Sequence, residues 1–179
     1  MLARGETNKN LVIRHDLMAR EFPSIWVEIE TDSGRVIVGA LYREWHDRHG
    51  DGSRDGQRKR LEIFLDQVNR ASAEKKKLLL LGDYNLDLIR LADESDNYSE
   101  RWLAAELLSW MEAHGIDPVD IGPTFTMNIG SGEIIKTINT SIDHVYLGGG
   151  LVIRGAKTVP HGMSDHDPVL VELNKKKRK

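Results

Sequence analysis

Between Ser24 and Glu30 apolar and polar residues alternate, and β-branched and aromatic types are frequent, which predicts a strand. Asp32-Ser33-Gly34 is turn chemistry, and Arg35 to Tyr42 reads as a second strand, so the two form a hairpin. His46 to Gly56 is polar and carries three glycines, hence a loop. From Gln57 the period lengthens: Leu61, Phe64, Leu65, Val68 and Ala71 recur at helical steps and predict an amphipathic helix. Lys76 to Tyr84 contains a continuous apolar run, the pattern of a buried strand. Ser99 is placed to cap a helix running to about His114, with Leu103, Leu107, Trp110 and Met111 on its apolar side and Gly115 as its stop. Pro123 to Thr126 reads as extended, Gly130 to Gly132 as a turn, and Ser141 to Leu147 as a strand ended by three glycines. Leu151 to Val159 is extended and Pro168 to Leu173 is the last strand. The order β-β-α-β-α-β-β-β belongs to a layered α/β or α+β domain.

Composition narrows this only a little. The 179 residues suffice for one domain with a proper core, and 40% hydrophobic with 30% charged residues is an ordinary balance. No apolar run approaches a membrane span, and Met1 to Asn10 lacks the apolar core of a signal peptide. The absence of cysteine excludes disulfides, thiolate catalysis and cysteine zinc sites. The formal charge of −3 neither favours nor excludes nucleic acid. Lys75-Lys76-Lys77 and the tail Lys175 to Lys179 concentrate positive charge. The tail reads either as a solvated end or as a phosphate-binding or nuclear-import segment, so a nuclear location is compatible with it.

Polar chemistry gathers at strand ends, where α/β sheets place ligands. Leu78 to Leu81 runs into Gly82-Asp83-Tyr84-Asn85, which puts a carboxylate and a carboxamide two residues apart. Asp143 opens a strand, Asp165 and His166 precede another, and Tyr42 closes a third. Each has a plainer reading: Gly82-Asp83 as a turn, Asp143 as a strand-end cap, His144 as a surface residue, Ser164-Asp165 as an Asx turn, and Tyr42 as a core aromatic. His46, His49 and His161 lack the spacing of a zinc site and read as loop residues. Taken together, the acidic, amide and imidazole groups suit phosphodiester hydrolysis. That reaction needs an activated water and charge neutralisation at phosphate, and a hard cation prefers oxygen donors.

Gly82-Asp83-Tyr84-Asn85 resembles the Gly-Asp-Phe-Asn signature of the endonuclease/exonuclease/phosphatase superfamily. Ser164-Asp165-His166-Asp167-Pro168 looks like its Ser-Asp-His-x-Pro signature, and Ile142-Asp143-His144-Val145 is similar to the element between them. Val38 to Arg43 and the preceding hairpin look most like the endonuclease domains of non-LTR retrotransposons. The resemblance covers about Ser24 to Leu173 and implies an α/β sandwich of mixed sheets flanked by helices. It implies Asp83 as the residue activating water and Asn85 as a phosphate contact. It implies the Asp143–His166 pair as phosphate stabiliser, Tyr42 as a hydrogen-bond donor, and Asp165 with Asp83 as ligands of Mg²⁺ or Mn²⁺. DNA is the implied partner. A phosphomonoesterase, a phospholipid-type diesterase and a non-catalytic nucleic-acid- or partner-binding remnant are the competing outcomes.

The chain also departs from the pattern. Tyr42-Arg43-Glu44 stands where those domains have Tyr-Arg-Pro. Nothing before Ser24 matches the family's opening strands, which carry an Asn and a metal-binding Glu. Glu21 and Glu28 lie in the wrong context to replace that Glu, and Asn8 and Asn10 follow no apolar strand. The chain therefore reads as the C-terminal part of such a domain, beginning near Asn10. Residues 1–23 are then a remnant segment, 24–173 the domain and 174–179 a basic tail. Two expectations follow: a bare inner sheet face prone to self-association, and little or no nuclease activity from this chain alone.

Overall fold

The apolar run from Leu78 to Leu81 becomes the middle of a mixed sheet. The computed structural model describes residues 11–31, 34–44, 52–131, 134–159 and 164–173. In chain order its elements are β1 (Leu11–Ile13), a 3₁₀ turn (His15–Leu17), β2 (Ser24–Thr31), β3 (Gly34–Tyr42), α1 (Arg54–Ala73), β4 (Lys77–Asp83), α2 (Leu88–Ala92) and α3 (Arg101–Ala113). Then follow β5 (Asp117–Pro118), β6 (Phe125–Ser131), β7 (Ile134–Thr140), β8 (Asp143–Gly148), β9 (Ile153–Thr158) and β10 (Val169–Leu173). The main sheet has the order β1-β2-β3-β4-β8-β5, while β9–β10 and β6–β7 are separate hairpins. β3 and β4 pair in parallel through the α1 crossover; β4 and β8 pair antiparallel.

Alternation along β4 gives the sheet two different faces. Leu78 and Leu80 join Trp26, Ile37 and Tyr146 in a core packed with Leu61, Phe64 and Val68 of α1 and Leu103, Leu107 and Met111 of α3. Leu79 joins Val27, Val36, Val38 and Val145 on the other face. That second face is not bare, contrary to the sequence expectation. The β9–β10 hairpin lays the partly buried Ile153, Val169, Val171 and Leu173 across it, and Val27, Val36, Val38, Leu79 and Val145 are buried beneath. Exposed apolar side chains include Leu11, Val12 and Ile13 of the edge strand β1 and Ile25 of β2.

Residues before Ser24 take part in the packing: β1 pairs with β2, and Leu17 and Phe22 are buried in the helix-side core. Arg14 bridges Asp16, Glu28 and Glu74, and Lys76 bridges the last two at 2.7 and 2.8 Å. Glu28 is level with Leu78 through Ile37, at the opposite end of β4 from Asp83. It is an ion-pair partner there, consistent with its unsuitability as a metal ligand beside Asp83.

Several boundaries differ from the sequence reading. Helix α1 begins at Arg54, inside the expected loop, because the Ser53 hydroxyl accepts the Gly56 amide at 3.1 Å and caps it. Ser99 does not cap α3; its hydroxyl turns to Glu100, and the helix starts at Arg101. The Arg101 guanidinium fixes that start by donating to the carbonyls of Arg90, Leu91, Asp93 and Asp96. Helix α2 and strand β7 were not expected from the pattern, and Gly130 lies within β6 rather than in a turn. His46, His49, His161, Asn8, Asn10 and the basic tail lie outside the described residues.

Gly82 has φ +144°, and a Cβ there would lie 2.0 Å from the Leu41 carbonyl oxygen. Both strain and backbone clash therefore oppose any side chain next to Asp83. Gly82→Ala is expected to destabilise the fold by about 3 kcal/mol, read from urea unfolding; a loss within error of zero contradicts the packing described.

Candidate active site

Three strand ends meet in one row. Tyr42 of β3 is in register with Asp83 of β4, which is in register with Asp143 of β8. Lateral neighbours in a sheet share a face, so the three side chains emerge on the side covered by β9–β10. Asp143 accepts from His166 Nδ1 at 2.9 Å across 23 residues of sequence. The carboxylate can only accept, so Nδ1 carries the proton and Nε2 remains for another partner. Beside this pair lies a cavity of about 280 Å³ lined by Leu81, Gly82, Asp143, Ser164, His166, Asp167, Pro168 and Val169.

After Asp83 the strand stops in a tight turn. Asn85 has φ +49°, the left-handed region that Asn tolerates better than most residues. Its amide N–H donates to Asp83 Oδ1 at 2.8 Å, closing an Asx turn. Its side-chain Nδ2 donates to the Arg43 carbonyl at 2.8 Å and to Asp83 Oδ2 at 3.3 Å. Asn85 thus has both amide hydrogens engaged within the fold. It can reach a phosphate only by releasing the longer contact.

Beneath this turn lies a residue the sequence did not single out. Arg43 is 2% exposed. Its Nε donates to the Tyr84 carbonyl, one Nη to the Asn85 carbonyl at 2.7 Å, and the other to Gln57 Oε1 at the start of α1. Its own amide donates to the Asp83 carbonyl at 2.8 Å. One buried side chain and its backbone therefore hold all three residues of the turn. Burial brings the guanidinium down to about 10, still high enough to stay charged at neutral pH. A planar fork of donors facing adjacent carbonyls has no sequence signature beyond the arginine itself.

Burial is also the main influence on Asp83, pushing its carboxyl above the ordinary range. Its Asn85 hydrogen bond opposes this, and Asp143 adds to it. A carboxylate so placed is a better base than a solvated one. The Asp165 carboxylate is exposed, accepts from Ser164 Oγ at 3.2 Å, and does not line the cavity. Tyr42 is 48% exposed at the row's other end. Asp83, Asn85, Asp143 and His166 are thus brought together, with Tyr42 and Asp165 at the margins. Among the described residues, no three His, Asp or Glu side chains converge as a metal cluster.

His144 is buried, not a surface residue. Its Nε2–H donates to the Leu86 carbonyl at 2.7 Å, and Nδ1 accepts from the Tyr146 hydroxyl at 2.9 Å. The ring stacks on Tyr84 at 4.6 Å. It supports the turn from behind as a neutral imidazole. Asp87 does similar work: Oδ1 accepts from Ile89, Arg90 and Ser141 amides, joining α2 to the lead into β8.

A model of the endonuclease/exonuclease/phosphatase family matches residues 8–166. A search among curated proteins gives no match. Among solved structures, the endonuclease domain of TRAS1, a telomere-specific non-LTR retrotransposon, superposes with a TM-score of 0.66 at 19% identity. That alignment covers 94% of this chain and 70% of that domain. The 3′ phosphatase NExo from Neisseria, bound to product DNA hairpin, gives 0.60 at 14% identity, over 92% of this chain and 69% of that one. A family protein from Leptotrichia buccalis gives 0.56 at 12% identity, over 84% of this chain and 53% of its own. At these identities the likeness is one of fold, and this chain spans between about half and 70% of each structure.

His144 makes stability depend on pH. Burial lowers its ring from 6.5 to about 4, so between these values the unfolded chain binds the extra proton. Stability is therefore full above the unfolded value and is lost as pH falls through this window. The loss from pH 7 to pH 5 is about 2 kcal/mol. Asp83, raised by burial, acts with the opposite sign just above the ordinary carboxylate range. Urea midpoints across pH 7 to 5 should fall for the natural sequence and flatten in His144→Gln; an unchanged slope in that variant contradicts the assignment.

Proposed function

The chain belongs to the endonuclease/exonuclease/phosphatase family, and on that premise we propose that its site performs metal-dependent hydrolysis of DNA phosphodiesters, as a retrotransposon-type endonuclease does. The observation that carries this reading is the Asp83–Asp143 register with His166 held on Asp143 at 2.9 Å. It supports the reading because the Asp83 carboxylate is the strand neighbour of Asp143, and Asp143 and His166 line the cavity. The fold likeness to a retrotransposon endonuclease domain and to a phosphatase bound to a DNA hairpin supports DNA over other phosphate esters.

In this reading Asp83 orients the attacking water and takes its proton. His166, aimed by Asp143 through Nδ1–H, donates to a phosphate oxygen through Nε2–H in its doubly protonated form, as charge builds there. Asn85 adds a neutral donor by giving up its 3.3 Å contact to Asp83. Tyr42 donates from the far end of the row.

The donor chemistry suits a hard cation: Asp83 and Asp165 offer carboxylate oxygens, and Asp165 is exposed next to His166, whose ring is held on Asp143 beside Asp83. Mg²⁺ commonly takes one or two carboxylates and fills its remaining positions with water and phosphate. Asp83 and Asp165 are the residues that would hold Mg²⁺ or Mn²⁺. The ion would supply charge neutralisation on the phosphate. With two carboxylates only, the site would hold the ion weakly, and slow turnover by this chain alone is the expected outcome.

The test is nicking of supercoiled plasmid by the purified chain, with inositol phosphates and abasic duplex as parallel substrates. Slow nicking that requires Mg²⁺ or Mn²⁺ is expected, reduced at least about 100-fold in Asp83→Ala and also lost in Asp165→Ala. Nicking that survives Asp83→Ala, or phosphate release from inositol phosphates without DNA cleavage, overturns the proposal.

A further inference from the structure

The Asp143–His166 pair joins two segments far apart in sequence, and one residue touches both. Thr124 lies just before β6 and is 0% exposed. Its hydroxyl oxygen accepts two backbone amides, Ile142 at 3.2 Å and Asp143 at 3.0 Å. Its own amide donates to the Thr140 carbonyl at 2.9 Å. Its carbonyl accepts from the Asp167 amide at 2.8 Å. The next two residues continue the stitching. The Phe125 ring meets the His166 ring edge-on at 4.9 Å, and the Thr126 amide donates to the Asp165 carbonyl at 3.1 Å.

We propose that Thr124 is the positioning residue of the Asp143–His166 pair, its hydroxyl fixing the backbone that carries Asp143 while its carbonyl fixes the loop that carries His166. It touches no reacting group itself. Its effect on chemistry rests on the reading of that pair as the phosphate stabiliser, but its effect on the pair's geometry does not.

A threonine here is required in a specific way. The two amides at 142 and 143 converge on one oxygen, so they need an acceptor with two lone pairs at a fixed depth. Valine has the same shape and no acceptor. Two part-buried N–H groups would lose their partner, and the lead into β8 would shift to find others. Asp143 sits on that lead, and its carboxylate must stay within reach of a ring held from the opposite side. Serine keeps the acceptor and loses only a methyl group. A role confined to packing would make the opposite prediction, with serine impaired and valine tolerated.

The measurement is the tautomer of His166 in the full chain, at a pH where the ring is neutral. Ring ¹⁵N shifts, read through carbon-bound protons and assigned by comparison with His166→Gln, distinguish Nδ1–H from Nε2–H without needing turnover. The natural chain should be mainly Nδ1–H, held so by Asp143. Thr124→Val should lose most of that population, and Thr124→Ser should retain it. Should Thr124→Val fail to fold, Thr124→Cys, with a weak sulfur acceptor, is read in the same way. A folded valine or cysteine variant with the natural tautomer ratio overturns the proposal, as does a folded serine variant that loses it. Plasmid nicking that fails in all variants and in the natural chain, with the tautomer result as expected, would count against the proposed function and leave the positioning role standing.

Discussion

A buried guanidinium under a left-handed turn is the constraint on which the site depends. Strand β4 delivers Asp83 to the edge of the sheet, but a strand alone would carry the next residues onward in extended form. Arg43 prevents this by binding the carbonyls of Tyr84 and Asn85 while its backbone binds Asp83. The turn so fixed returns the Asn85 amide to the Asp83 carboxylate. Desolvating an arginine is unfavourable, and the lowering to about 10 expresses that. Hydrogen bonds from a charged donor to the Tyr84 and Asn85 carbonyls offset it. Gly82 completes the arrangement, since the backbone of Leu41 lies where any side chain would stand.

The remaining groups are set by register. Tyr42, Asp83 and Asp143 share a row because β3, β4 and β8 pair in a fixed register, and a slip of one residue would send a side chain to the helical face. That face is filled by Trp26, Leu80 and Tyr146, so the slip would bury charge among apolar rings. Core packing therefore selects the alignment of the acidic groups. His166 arrives from outside the main sheet, on the loop before β10, and needs the contacts of residues 124–126 to be held against Asp143.

The sequence made the chemical groups legible and their supports illegible. Asp83, Asn85, Asp143 and His166 could be read because their types are unusual at apolar strand ends. Arg43 and Thr124 could not, because they act on backbone carbonyls and amides that every residue possesses. The long helices and apolar strands followed from periodicity. Helix α2 did not, being only five residues long and held by the Asp87 cap. Strand β7 has no clear strand pattern, because Lys136, Thr137, Asn139 and Thr140 interrupt its apolar residues. The covering of the inner face is not legible in the pattern, which does not reveal that the β9–β10 hairpin folds back across Val36, Val38 and Leu79. His144 looked like part of a catalytic motif's surface, yet its neighbours are Tyr84, Tyr146 and the Leu86 carbonyl.

In the proposed function the cation would be held by Asp83, on the clamped turn, and by Asp165, next to His166 of the Asp143–His166 pair. Titration of the isotopically labelled chain with Mn²⁺ tests this most directly, through paramagnetic broadening of the Asn85 side-chain amide and the His166 ring signals. Both should broaden with a common midpoint, and both effects should vanish in Asp83→Ala. Broadening of neither group, separate midpoints, or full broadening in Asp83→Ala would contradict the account.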